Sequence, residues 1–493
     1  MLIFIISLFY IKSNIKIKIL IVYSFLYLFY AENRKNTVDK IRYMMYTKKV
    51  NVWLFLLAKG VGKMDINEIK LKLTEIIDEN SEYIKEIGRH ILKNPELGYF
   101  EEKTSAFVRK EFEKLGIEYA YPCAVTGVKG SVKSKNDGPC VAIIGEMDAL
   151  FCAGNKFANE NNVAHACGHN AQVATMLGTA IAIAKSGVLD EFSGKIVFFA
   201  VPAEEFNELS ERAKLKAEGK LEYFGGKQQL IAEGAFDDVD IAIMVHAQPE
   251  EDAKVYVNGH NLGFITKTIT FKGKAAHGSK PHEGTNALNA AALGILGIHS
   301  NRETFEDHER IRIHPIITKG GDVVNSVPDE VCIDTYVRGA TLSAIEKGNN
   351  ATERAMRGAA QMIGASVEIE DISGYLPIKE DEELTEIFAQ NAKNIVGEEN
   401  VISGYEITGS TDMGDLSAII PAIQPSIGGF TGNLHSKEFC VADEDAAYIL
   451  PVKIMAHTVA ELLANGAQKA IKIKDGFKAR LTKEEYLDYL KGE

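Results

Sequence analysis

The sequence predicts an α/β fold: a mostly parallel central sheet between helices, interrupted by a smaller α+β unit. Past Met64, short apolar runs alternate with amphipathic stretches at helical spacing, the pattern of strand–helix–strand units. From about Phe264 the texture shifts to strict apolar–polar alternation, the mark of an antiparallel sheet with one covered face. After ASVEIEDISGYLPI the first texture returns. A chain of 493 residues also exceeds what one core normally holds. The expected division is an N-terminal extension (1–63), a larger domain in two parts (64–262 and 375–493), and an inserted smaller domain (263–374).

Residues 1–63 read unlike the rest. LIFIISLFY and ILIVYSFLYLFY are separated by SNIKIK, and neither reaches the roughly 18 to 20 residues that span a bilayer. A signal peptide places its charges before one apolar core, whereas Lys12, Lys16 and Lys18 interrupt this one. The expectation is an upstream extension to a protein that begins near Met64, with a membrane anchor as the alternative. From MDINEIKLKLTEII onward, apolar residues recur at helical spacing. Strands are expected at CVAII (140–144), KIVFFAV (195–201), DIAIMV (240–245) and AIQPSI (422–427). The small, apolar run AQVATMLGTAIAIAKSG after Asn170 predicts a helix buried against the sheet. Within the insert, FITKTITFKG and VCIDTYVRG alternate strictly, and NALNAAALGILGIH between them reads as a buried helix.

Hydrophobic residues make up 46% of the chain and charged residues 25%, the balance of a globular protein. A formal net charge of -13 argues against nucleic-acid or anionic-membrane partners. The cysteines at 123, 140, 152, 167, 332 and 440 lack framework spacing, which fits reduced thiols and a cytoplasmic location.

The strongest local signal is HACGH at 165–169, where Cys167 and His169 precede the long helix. Thiolate and imidazole suit zinc-like ions, although a buried cysteine beside a helix-capping histidine reads equally well from this motif alone. Glu204 and Glu205 follow the strand KIVFFAV, His246 follows DIAIMV, and His435 lies beyond AIQPSI. In parallel α/β sheets the carboxyl ends of strands share one crevice, so residues distant in sequence meet there. Adjacent glutamates also serve as a solvated helix start, but consecutive side chains diverge, leaving one free while the other binds a metal. Glu205 is then the ligand and Glu204 the general base.

These residues sit within ordered motifs: HILKNPELGYFEEKTSAFV, GEMDAL, HACGHN, VPAEE, VHAQPE, FKGKAAHGSKPHEGTNALNAA, GGDVVNSVPDE, GSTDMGD and LHSKEF. In them the chain from Met64 onward resembles the M20 metallopeptidases, in the amidohydrolase branch with aminoacylase-like enzymes and aminobenzoyl-glutamate hydrolases. The resemblance implies a zinc-exopeptidase-like catalytic domain, a dimerisation (lid) domain as the insert, and a homodimer. It implies two divalent ions per subunit, about 3.5 to 4 Å apart, with Cys167 where other branches carry a bridging aspartate and His169, Glu205, His246 and His435 completing the sites. Zinc is the expected metal, with manganese or cobalt admitted by the mixed ligands.

The family likeness also implies that His277 reaches the partner's active site and donates to the oxyanion, although an isolated histidine in a glycine-containing turn is more often a surface residue. Asn325 matches a substrate-contacting asparagine, and Arg338 an arginine near the substrate carboxylate; a strand-end arginine is often only a surface ion pair. Glu146 and Asp148 of GEMDAL are expected beside the pocket, orienting a histidine without ligating. Two departures from relatives stand out: DALF where relatives read DALP, and Ala171–Gln172 after HACGHN. The expected reaction is hydrolysis of the amide bond of N-acyl amino acids, aminobenzoyl-glutamate-like amides or dipeptides. The rivals are a cysteine hydrolase using Cys167 as nucleophile and a non-catalytic binding protein on the same fold.

Overall fold

The structure is a computed structural model and describes residues 64–405 and 409–492; the readings placed on residues 1–63 lie outside them. The first helix, Ile66–Glu79, starts at a capping box in which Asp65 accepts from the N–H of Glu68 and the Glu68 side chain accepts from the N–H of Asp65. Two of its otherwise unpaired terminal groups are thereby satisfied.

The central sheet has six strands in the order Glu118–Cys123, Gly127–Lys133, Ser193–Val201, Asn136–Glu146, Ile241–Ile243, Ala422–Ile423. The last four run parallel, while the first two add an antiparallel edge. The helix His169–Ser186 is buried over nearly its whole length and packs on the strand Asn136–Glu146. Small residues permit that approach: a Cβ on Gly145 would sit 3.0 Å from the backbone of Gln172.

The two strands expected at 240–245 and 422–427 run side by side but do not stay in one sheet. Residues 241–243 and 422–423 belong to the central sheet, whereas His246–Ala247 and Ser426–Ile427 pair in a small separate one. Pro425 lies at the break; its carbonyl accepts from His246 N at 2.9 Å, but proline has no N–H to return the bond. The ribbon therefore turns out of the main sheet where His246 begins.

A second, wholly antiparallel sheet has the order Arg312–Lys319, Glu330–Gly339, Gly263–Lys272, Ser366–Ser373. Helices Ala287–Asn301 and Leu342–Ile363 pack against one face, with Ile269, Phe271, Ile333 and Val337 in a core of their own. Burial alternates residue by residue along Glu330–Gly339, as the period of two requires. Among the described residues, the helical stretch Asp445–Leu463 is long and apolar enough to cross a membrane, yet 83% of its most apolar window is buried in the protein as a core helix.

Candidate metal centre

The parallel strands bring acids and histidines to one edge. Glu146 ends the strand Asn136–Glu146, and Asp148 follows it. Beyond Ser193–Val201 the chain turns at Ala203, in a left-handed conformation (φ 55°), into Glu204 and Glu205. Cys167 and His169 flank Gly168, whose φ is 83° and where a Cβ would lie 2.4 Å from the Ala247 side chain. Only glycine meets that conformation and that contact together, so Gly168 seats the HACGH turn against the ribbon carrying His246. His435 also has a positive φ, and its N–H donates to Ala166 O at 2.8 Å.

Cys167 Sγ lies 3.5 Å from His246 Nε2 and 3.3 Å from His435 Nε2. His435 Nε2 lies 3.2 Å from Glu205 Oε1. The donors fall into two triads that share the thiol, Cys167–His169–His246 and Cys167–Glu205–His435, with the donor atoms of each within 4.8 Å of one another. Bond lengths of about 2.0 to 2.3 Å put two donors on one tetrahedral zinc roughly 3.4 to 3.6 Å apart. The chemistry fits as well. His169 Nε2 and Glu205 Oε1 are buried without a hydrogen bond, although Glu146 Oε2 and His435 Nε2 stand 3.2 Å from them. Donors this close yet unbonded converge on a shared point rather than on each other. A buried unsatisfied polar atom costs about 1 to 3 kcal/mol, and a divalent cation at each triad removes that cost.

Asp148 ties the two triads together. His169 Nδ1 donates to its carboxylate at 3.1 Å and its carbonyl at 2.9 Å, and Glu205 N donates to the other carboxylate oxygen at 2.8 Å. That bond fixes the proton on Nδ1 and turns Nε2 toward the cluster. Burial opposes the charge on Asp148, but His169 outweighs it and holds the carboxyl below its ordinary value. The glutamate turn is held from three further directions. Glu101 accepts from Ala203 N at 2.9 Å, the buried Arg212 donates to the carbonyl of Glu205, and Tyr375 donates to the carbonyl of Glu204.

The charges within the cluster compensate one another. Burial works against the Cys167 thiolate, yet His246 and His169 hold the thiol well below its usual value. Burial likewise disfavours a charged His169, but Glu146 and Cys167 push it well above the usual imidazole range. Glu205 is pushed up to about 7 by burial and by Cys167. Glu204 is raised well above the carboxylate range, first by burial and then by Glu146 and Glu205.

A cleft of about 290 Å³ opens onto Cys167, Glu204, Glu205, His246 and His435, with Arg338 on its wall. The Arg338 guanidinium donates to Ser410 Oγ at 2.6 Å and lies 5.3 Å from the ring centres of both Phe264 and Tyr336. His277 and Asn325 lie elsewhere. Both are exposed and adjacent, with Gly278 N donating to Asn325 O at 2.7 Å, and neither lines the cleft of its own chain. A larger groove of about 1030 Å³, between the helix Leu209–Ala217 and the open face of the second sheet, holds none of the donors. Asp148 does orient a histidine, as its position after a buried strand predicts. Glu146, the other acid expected there, lies 3.2 Å from His169 Nε2; the sequence did not reveal the support from Glu101, Arg212 and Tyr375, which come from segments far away in the chain.

A family model described as Peptidase family M20/M25/M40 matches residues 142–461. The chain belongs to this family. As an M20 protein it is a hydrolase of peptide or amide bonds. It is 27% identical to the Xaa-Arg dipeptidase of Mus musculus over 451 residues, which cover 86% of this chain and 95% of that one. Among solved structures it is similar to a Bacillus subtilis protein described as a dinuclear metal binding peptidase from the M20 family, with a TM-score of 0.61, 22% identity, and coverage of 78% of this chain and 98% of that one. An aminobenzoyl-glutamate utilization protein from Klebsiella pneumoniae follows with a TM-score of 0.58, 18% identity, and coverage of 79% and 98%. These likenesses agree with the mixed α/β architecture described above.

Proposed function

We propose that this M20 enzyme is a two-metal amidohydrolase of small substrates bearing a carboxylate: N-acyl amino acids, dipeptides or aminobenzoyl-glutamate-like amides. The observation that carries the reading is the pair of donor triads sharing Cys167, with Glu204 buried beside them and in neither. Cys167, His169 and His246 hold one divalent cation, and Cys167, Glu205 and His435 the other. When bound, the pair supplies Lewis acidity, lowering the pKa of water toward about 7 and polarising the amide carbonyl.

The chain's own groups do the rest. Glu204, buried beside both triads, takes a proton from the attacking water and delivers it to the departing amine. Arg338 faces the cleft as its cation and receives the substrate carboxylate in bidentate fashion. The family likeness implies that His277 donates to the oxyanion in the site of a second copy, which accords with its place outside the cleft of its own chain, and that Asn325, beside it, contacts substrate. Thiolate with imidazole favours zinc, and the carboxylate admits manganese or cobalt.

The test is a screen of chelator-treated enzyme, reloaded with zinc, manganese or cobalt, against the three substrate classes. The expected outcome is loss of hydrolysis on chelation and recovery on reloading. Metal-free enzyme that remains active and loses activity on alkylation of Cys167 would sink this reading in favour of a cysteine nucleophile.

A further inference from the structure

One short segment holds three polar groups in the cleft. The Gly409 carbonyl accepts from Leu262 N at 2.9 Å, next to Asn261; the Ser410 hydroxyl accepts from Arg338 at 2.6 Å; and the Thr411 hydroxyl donates to Gln424 Oε1 at 2.8 Å. Arg338 is the cation already assigned to the substrate carboxylate. Asn261 and Gln424 have no part in that mechanism. Both line the same cleft, and at 8% and 5% exposure they are almost wholly buried.

What the Gln424 carboxamide offers is fixed by its partners. Thr411 Oγ1 accepts from Met413 N at 3.2 Å and gives its own proton to Gln424, so the amide oxygen is taken and the amide nitrogen is left. The backbone is tied down as well, with Gln424 N donating to the buried Glu380 at 2.8 Å. Among the described residues, neither Gln424 Nε2 nor the Asn261 carboxamide has a hydrogen-bond partner. Buried polar groups are normally paired; these two line a cleft instead. The acids lining it are Glu204 and Glu205, assigned above to the proton and the metal. A cationic side chain would find no counter-charge of its own there, and an apolar one would strand both carboxamides. A side chain ending in a carbonyl oxygen accepts from Gln424 Nε2, and a carboxamide also offers an N–H to the Asn261 oxygen.

We infer that Asn261 and Gln424 are specificity-determining residues, forming a subsite beside Arg338 for the side chain of the amino acid that hydrolysis releases. That side chain ends in a carbonyl oxygen: the carboxamide of glutamine or asparagine, or the carboxylate of glutamate or aspartate. The inference rests on the amidohydrolase reading above and narrows its substrate class. Arg338 takes the main-chain carboxylate, and the two carboxamides read what stands next to it. Gly409, Ser410 and Thr411 keep the three groups in register.

The experiment measures kcat/KM of the zinc-loaded enzyme on the N-acetyl and glycyl derivatives of glutamine, glutamate, methionine and lysine, using wild type, Asn261→Ala, Gln424→Met and Gln424→Glu. Wild type is expected to favour glutamine or glutamate over the similarly sized methionine by about 10²-fold or more, because a site built around hydrogen bonds rejects an analogue that lacks them. Glutamine ahead of glutamate marks a carboxamide subsite, and the reverse order a carboxylate one. Asn261→Ala and Gln424→Met should each narrow the gap to methionine about three- to tenfold. Gln424→Glu keeps the bond from Thr411 but replaces the free donor by an anion, so it should raise kcat/KM on the lysine substrates roughly tenfold or more, a gain that misfolding cannot produce. A wild-type preference for methionine or lysine, or variants that slow all the substrates equally, would overturn the inference. Calorimetry with the four free amino acids separates the subsite from the reaction. Tighter binding of glutamine or glutamate than of methionine, with none of the N-acetyl or glycyl derivatives hydrolysed, would keep the subsite and overturn the substrate classes proposed above.

Discussion

His169 and His277 occupy opposite surroundings. The ring of His169 is buried, oriented by Asp148 and held at the start of a helix packed on the central sheet. The ring of His277 is exposed on a turn of the second sheet, hydrogen-bonded to Ser279 at 2.7 Å. The first is placed by its own chain. The second stands clear of the cleft of its own chain. On the function proposed above, the contrast divides the site into a part complete within one chain and a part that requires assembly, and each part should respond to substitution differently.

The largest effect should come from the complete part. Glu204→Gln removes the proton carrier but not a metal donor, so kcat is expected to fall about 10²- to 10⁴-fold while two metal equivalents are retained by elemental analysis. Undiminished turnover would remove Glu204 from the reaction and revive a non-catalytic role for the fold.

His277→Ala tests the assembled part and should lower kcat about 10²- to 10³-fold, as for loss of one oxyanion donor. Mixing it with Glu204→Gln is more telling. In the heterodimer one site combines an intact Glu204 with an intact His277 of the partner subunit, so a random mixture of the two inactive variants should recover about a quarter of wild-type activity. No recovery after subunit exchange, verified by mass, would confine the whole site to one chain.

Arg338 belongs to the wall between these parts. Arg338→Ala should raise KM roughly 10- to 100-fold for substrates with a free carboxylate, the worth of a charge-assisted hydrogen bond. Esterified or amidated substrates should lose the difference. An equal penalty on both would show that Arg338 only packs against Phe264 and Tyr336.

What could be read in advance follows the same division. The ends of KIVFFAV and DIAIMV point to one crevice because parallel strands leave no other place for Glu204, Glu205 and His246. Ordered motifs such as HACGHN supply the family. Pro425 was visible, but its effect was not, since a ribbon that changes sheets keeps the same apolar pattern in both. Gln172 was legible only as a departure from relatives; its grip on Glu146, through Nε2 at 2.8 Å, depends on side-chain direction across the helix–strand contact, which spacing does not encode. Arg212 and Tyr375 escaped notice because each acts through one long-range bond to a backbone carbonyl, and neither residue type signals that at a distance.

Tyr375 supplies the smallest and sharpest test. It lies just past the last strand of the second sheet, packs edge-on to Phe206 and Phe264, and donates its hydroxyl to the carbonyl of Glu204. Tyr375→Phe keeps the ring and deletes that donor, leaving a carbonyl with one bond fewer, so stability should fall by about 0.5 to 1.5 kcal/mol in denaturant unfolding. The glutamate turn keeps its bonds to Glu101, Arg212 and Asp148, so kcat should drop less than about tenfold. A loss as large as that of Glu204→Gln would show that the second sheet governs the base through this one hydroxyl, and the line between the self-contained and the assembled parts of the site would have to be redrawn through Tyr375.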